Sequence, residues 1–263
     1  MFTNHIGRSC LCFGLALMTA ILATGVRADA GDATKYTAYA EDSLQMSVWV
    51  TVSESDSAAP ILLLLPMMAH SHESYDPLIQ ALATYVAQDS GNGCAQELPY
   101  FISFDLRGHG LSTIRGQDTL SFRTMKEPEF AKYPGDVVQA MEFAWSQVDE
   151  EAGDMVVVGA SIGANTAMML TEMLPRVSKV VLLSPGEDYR GLKPAEALKM
   201  FKGNALIFAC EDDQYSATSS RKLAALNEKR CTLHIFNGSD HGTDIINNNP
   251  EAMRILVDWL CAP

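Results

Sequence analysis

Ser161 stands between Gly159 and Gly163 in the run "MVVVGASIGANTAMMLTEML", residues 155–174. A serine hydroxyl is a poor nucleophile until a neighbouring base takes its proton. It must also be lifted clear of the backbone. A strand that turns sharply into a helix does this, and glycines two residues to either side permit the turn and the close strand–helix approach. The β-branched run before Ser161 has strand character, and the run after it reads as a helix. The chemistry this arrangement suits is acyl transfer, with Ser161 as nucleophile. The competing reading is a serine that merely falls between two glycines, and the strand-to-helix setting argues against it.

A base is then required. The chain has six histidines. His5 lies in the N-terminal leader, His234 lies inside the strand-like "TLHIF", and His109 sits in the turn "DLRGHG". His70 and His72 follow the apolar run "PILLLLP" (60–66). His241, in "NGSDHGTD", follows the last strand and precedes the last helix. It lies C-terminal to Ser161, the chain order that this motif requires, and is the expected base.

An imidazole acting as base needs an acceptor on its second nitrogen, to fix its tautomer and stabilise the cation. Glu211, Asp212 and Asp213, in "CEDDQY", fall between Ser161 and His241 and compete for that role. Glu187 and Asp188 offer an alternative acid. The developing oxyanion needs two backbone N–H groups. Ile162, next after the nucleophile, should supply one, and the loop "PMMAHSH" the other.

These residues need a scaffold that brings distant loops to one edge. From residue 60 to the end, apolar strand-like runs alternate with helical periodicity, which predicts βαβ units and a mostly parallel sheet. "KYTAYAEDSLQMSVWVTVSES" predicts an antiparallel start around a turn at Glu41–Asp42–Ser43. In such sheets ligands bind beyond the carboxyl ends of the strands, where the candidate residues fall. The chain of 263 residues is 48% hydrophobic, enough for one large α/β domain, and no second domain is apparent. A formal charge of −13 gives no basic footprint and counts against nucleic-acid binding.

Residues 1–30 read as a secretory signal peptide: a basic start, an uncharged stretch from Cys10 to Val26, then Ala28 and Ala30 at the −3 and −1 positions of a cleavage site. Cleavage after Ala28 is the variant, and an uncleaved anchor is the alternative. Cleavage leaves residues 31–263 as a periplasmic or secreted domain with no membrane attachment. Cys94, Cys210, Cys231 and Cys261 remain in that domain, with no C-x-x-C spacing to suggest zinc or a redox motif. If the last helix runs antiparallel to the last strand, Cys261 comes near Cys231. The two are then expected to bridge in an oxidising compartment, with Cys94 and Cys210 unpaired.

In order along the chain, "LLLLPMMAHSHESYDPL", "FDLRGHGLS", "VVGASIGA", "FACEDDQY" and "NGSDHGT" resemble the α/β-hydrolase superfamily, over essentially all of residues 34–261. The resemblance implies an α/β fold with an eight-stranded, mostly parallel sheet flanked by helices, no lid, and a Ser–His–acid triad. It favours Asp213 over Asp212, because family members place the acid fourth in a G-x-x-D loop, although Cys210 replaces the glycine. It makes Met68 the second oxyanion donor, although Pro66–Met67 stands where the family commonly has His-Gly. Met67, Met68 and His70 are expected to line the acyl pocket; core filling is the other reading for the methionines. The phrase "LLSPGEDYRGL" also resembles a feature of minimal, lidless bacterial hydrolases, without a role attached.

The expected function is hydrolysis of a small-molecule carboxylic ester or thioester through an acyl-enzyme. The mechanism calls for no cofactor and no metal, and no H-E-x-x-H pattern suggests one. The rivals are an amidase or peptidase using the same triad, and a hydrolase-fold protein that binds a ligand without turnover. The sequence leaves the oligomeric state open.

Overall fold

The structure, a computed structural model, describes residues 33–51, 60–88, 100–146 and 154–262. The leader and Cys94 lie outside these residues. Strands β1 (Ala33–Tyr39) and β2 (Gln45–Thr51) form the expected hairpin, and its turn places Ser43 at φ 65°. Strand β2 pairs antiparallel with β4 (Tyr100–Phe104). From there the sheet is parallel: β3 (Ile61–Leu65) lies between β4 and β7 (Met155–Ala160), followed by β8 (Val177–Leu183), β9 (Asn204–Cys210) and β10 (Cys231–Phe236). The eight strands run in the order β1-β2-β4-β3-β7-β8-β9-β10.

The central strands are apolar along their whole length because both faces are covered. Ile61, Leu63 and Leu65 of β3 face one core and Leu62 and Leu64 the other. The first core holds α3 (Tyr133–Trp145) and α4 (Ile162–Leu170), with α5 (Ala195–Met200) and α6 (Gln214–Leu226) toward β9 and β10. The second holds α1 (Asp76–Gln88), α7 (Asp244–Asn248) and α8 (Pro250–Cys261). Among the described residues, no helix is long and apolar enough to cross a membrane.

Three small elements escaped the sequence reading: a hairpin of β5 (Ile114–Arg115) and β6 (Asp118–Thr119), the four-residue α2 (Glu127–Phe130), and α7. Helix α2 is held by Arg107, which is 1% exposed, and the hairpin joins the same network through Arg115. Its guanidinium donates to Asp136 at 2.7 and 2.8 Å, to Asp42 at 2.8 and 2.9 Å, and to Glu129 at 2.9 Å. Arg115 and Lys132 complete the network on Asp42 and Glu129. A buried guanidinium is stable only when its donors are satisfied. Arg107 thereby joins the β1–β2 turn, α2 and α3 to the loop after β4.

The expected Cys231–Cys261 bridge is corrected. Cys231 is free, as is Cys210, whereas Cys261 is disulfide-bonded. The side chain of Cys231 packs on the α3–α4 face of the sheet and that of Cys261 on the α1–α8 face. Helix α8 also ends beneath β8 rather than alongside β10: Lys179 of β8 donates to the carbonyl of Ala262 and lies over the ring of Trp259.

Candidate active site

Every predicted site residue lies at or just beyond the carboxyl end of a parallel strand. Strand β7 delivers Ser161 at φ 53°, ψ −117°, outside the regions open to an unstrained L-residue. The turn is tight because α4 begins at the next residue. A Cβ on Gly159 would lie 2.2 Å from the Gly163 carbonyl oxygen, and one on Gly163 would lie 2.4 Å from that of Leu65. Only glycine fits at both positions. Ser161 donates its N–H to the Leu183 carbonyl at 2.7 Å, fastening the turn to β8, and is 6% exposed.

His241 sits in the loop between β10 and α7. The neighbouring Gly242 N–H donates to Ser184 Oγ at 2.9 Å, which fixes the loop against the end of β8. Asp213, the N-cap of α6, directs one carboxylate oxygen to His241 Nδ1 at 2.6 Å, while the other accepts the Ser216 N–H at 3.4 Å. Asp212 is exposed and donates its N–H to the Gly238 carbonyl. Glu211 pairs with Arg221, Glu187 with Lys222, and Asp188 with Lys193. Of the acids considered, Asp213 is the one brought to His241.

Ile162 opens α4, so its N–H is among the first amides of the helix, which have no intrahelical acceptor and sit at the positive end of the helix dipole. The loop after β3 turns at Met68–Ala69, with Ala69 at φ 67° and the His70 N–H closing onto the Met67 carbonyl at 3.2 Å. Met68 is half-buried, and its carbonyl lies 3.2 Å from His70 Nδ1. His70 is exposed. Met67 is buried in the α1–α8 core, with its sulfur packed against Gly242. Asp105, 1% exposed, braces this loop: it accepts from the His72 N–H at 3.0 Å and the Leu111 N–H at 2.7 Å, and lies 3.1 Å from His72 Nδ1.

Sequence reasoning missed Tyr189, in the "GEDYRGL" stretch that had no role. Its hydroxyl is in hydrogen-bonding contact with Ser161, and lies 3.1 Å from Ser216 Oγ. Its ring stands edge-on to His241, with centroids 6.4 Å apart. Burial holds the phenol above its ordinary pKa, so it stays protonated at neutral pH. The Ser161 hydroxyl thus meets Tyr189 in the resting site. Catalytic hydrogen bonds are often long or poorly aligned before substrate binds.

No protein-family model matches the sequence, and no curated protein matches it either. Solved structures do. A Pyrococcus furiosus esterase is similar with a TM-score of 0.64 and 14% identity, over 88% of this chain and 91% of that one. The meta-cleavage product hydrolase of Pseudomonas fluorescens is similar with a TM-score of 0.60 and 14% identity, over 85% and 96%. Est1E of Butyrivibrio proteoclasticus, with ferulic acid bound, gives 0.62 and 12%, over 86% and 97%. The chain has the α/β-hydrolase fold.

Proposed function

We propose that the protein is an exported serine hydrolase acting on a small carboxylic ester or thioester. The observations that carry this reading are the His241–Asp213 pair, at 2.6 Å, and a serine held at a strained strand-to-helix turn. With Nδ1 committed to Asp213, Nε2 is the nitrogen left to take the Ser161 proton as Oγ attacks the carbonyl carbon. The oxyanion is received by the N–H groups of Ile162 and Met68, and Met68 and His70 line the acyl side, with Met67 packed in the core behind them. His241 then protonates the leaving alcohol or thiol. In the second half it activates water against the acyl-enzyme, which releases the acid and restores Ser161. The Asp213 carboxylate stabilises the imidazolium. The esterase and hydrolase names of similar structures agree with acyl chemistry.

A fluorophosphonate probe should label wild-type protein at Ser161, and Ser161→Ala should lose both labelling and ester hydrolysis. Unchanged hydrolysis in Ser161→Ala would overturn the reading. Nitrophenyl esters run against aminoacyl nitroanilides separate ester from amide preference. N-terminal sequencing of protein from its native compartment tests export, with residue 31 as the expected first residue.

A further inference from the structure

Tyr189 is held from several sides. A Cβ on Gly186 would lie 2.7 Å from its ring, so the ring packs on bare backbone. The backbones of Tyr189 and Leu192 exchange hydrogen bonds at 3.1 and 3.0 Å across a turn in which Arg190 and Gly191 both have positive φ. Asn165, fully buried on α4, donates to the Gly186 and Leu192 carbonyls at 3.0 and 2.8 Å and accepts the Gly186 N–H at 3.0 Å. The Tyr215 hydroxyl donates to the Asp188 carbonyl at 2.9 Å, and the rings of Tyr189 and Tyr215 meet edge to face at 5.5 Å. So many constraints on one loop aim the phenol at a fixed point.

That point lies between two other hydroxyls. One is Ser161. The other is Ser216 Oγ, at 3.1 Å, which itself lies 3.4 Å from His241 Nδ1. Ser216 is wholly buried in the first turn of α6, where its N–H holds Asp213. The Tyr189 hydroxyl donates to the Ser184 carbonyl at 3.3 Å. Its oxygen is then free to accept from the hydroxyls of Ser216 and Ser161. His241 Nδ1, bonded mainly to Asp213, lies beside Ser216 Oγ.

We propose that Tyr189 and Ser216 are a positioning pair of this site, whose hydroxyls link the nucleophile to the far side of its base. The pair sets the rotamer of Ser161 and the tilt of His241 together. The inference rests on the serine-hydrolase reading above.

The test is a double-mutant cycle in the full chain with Tyr189→Phe, which keeps the ring, and Ser216→Ala. Nitrophenyl-ester kinetics, fluorophosphonate labelling and melting temperature are read for each, with Ser161→Ala as control. Each single variant should lose about tenfold in kcat and in labelling rate with KM little changed, as expected for one hydrogen bond used mainly in the transition state. The double variant should be no worse than about twofold below the weaker single, because one link already breaks the chain. If Ser161→Ala is inactive but Tyr189→Phe turns over like wild type, the inference fails alone. Losses that multiply across the cycle also overturn it. If Ser161→Ala stays active, the hydrolase reading fails and takes this inference with it. Should Ser216→Ala not fold, Tyr189→Phe decides by itself.

Discussion

Asp213 Oδ2 lies 2.6 Å from His241 Nδ1, while Asp212, one residue earlier, turns its side chain to solvent. Adjacent carboxylates therefore have different expected roles. Asp213→Asn should lower kcat by about 10³–10⁴, the scale of losing the residue that sets the imidazole tautomer. Asp212→Asn should stay within about twofold, as an exposed surface change does. Steady-state ester hydrolysis by the two variants decides, and a reversed order would move the acid to Asp212.

The backbone of Ser161 carries a stability prediction of its own. At φ 53°, ψ −117° a Cβ is strained, and glycine relieves it. Ser161→Gly should therefore melt above Ser161→Ala, against the usual order, by an amount worth about 1 kcal/mol. Thermal denaturation of the two inactive variants measures it, and a lower melting point for the glycine variant would contradict the strain.

Two pH windows follow from buried or paired groups. Burial holds His109 below the usual imidazole pKa, and its Nε2 has no partner, so protonation puts an unmatched donor in the interior. Its folded pKa is depressed, so the unfolded chain binds the proton first, and stability falls as pH drops below about 6.5. His109→Gln should flatten the melting temperature between about pH 7 and 5, since glutamine does not titrate there.

The second window is acidic. The hydrogen bond from Arg107 holds Asp42 well below the usual carboxylate range. Glu129, although pushed up by burial, is held down by its bond from Arg115 and the nearby charges of Lys132 and Arg107. Their contribution is complete above about pH 4 and is lost as pH falls through the lower folded values. Asp42→Asn should melt lower at neutral pH and lose less on acidification. A parallel pair of curves below pH about 4 would remove Asp42 from the account.

Cys261 is bridged while Cys210 and Cys231 are free. Non-reducing peptide mapping should find Cys261 in a disulfide and Cys210 and Cys231 alkylatable. The Cys231 thiol, pushed up to about 11 by burial, should react slowly. A Cys231-containing disulfide would refute this assignment.

The sheet was legible because β3, β7 and β9 are unbroken apolar runs bounded by turn residues. The sharp turn at Ser161 was legible because Gly159 and Gly163 mark a backbone crossing that no side chain permits. The cysteine pairing was not, since periodicity shows that β10 and α8 are amphipathic but not which face of the sheet each core belongs to. Tyr189 was hidden for a similar reason. The two serine hydroxyls it meets, Ser161 and Ser216, lie 28 and 27 residues away, and nothing local in "EDYRG" announces them. The two-residue strands β5 and β6 are too short to leave a periodic signal.

Asn165 lies one helical turn beyond Ser161 and grips the loop that faces it. Ser161 and the wall opposite it are thus tied to one helix. When the helix shifts with heat or with a mutation elsewhere, both sides of the cleft shift in step, and the gap between them keeps its width. The spacing is held by an amide side chain that is itself fully buried.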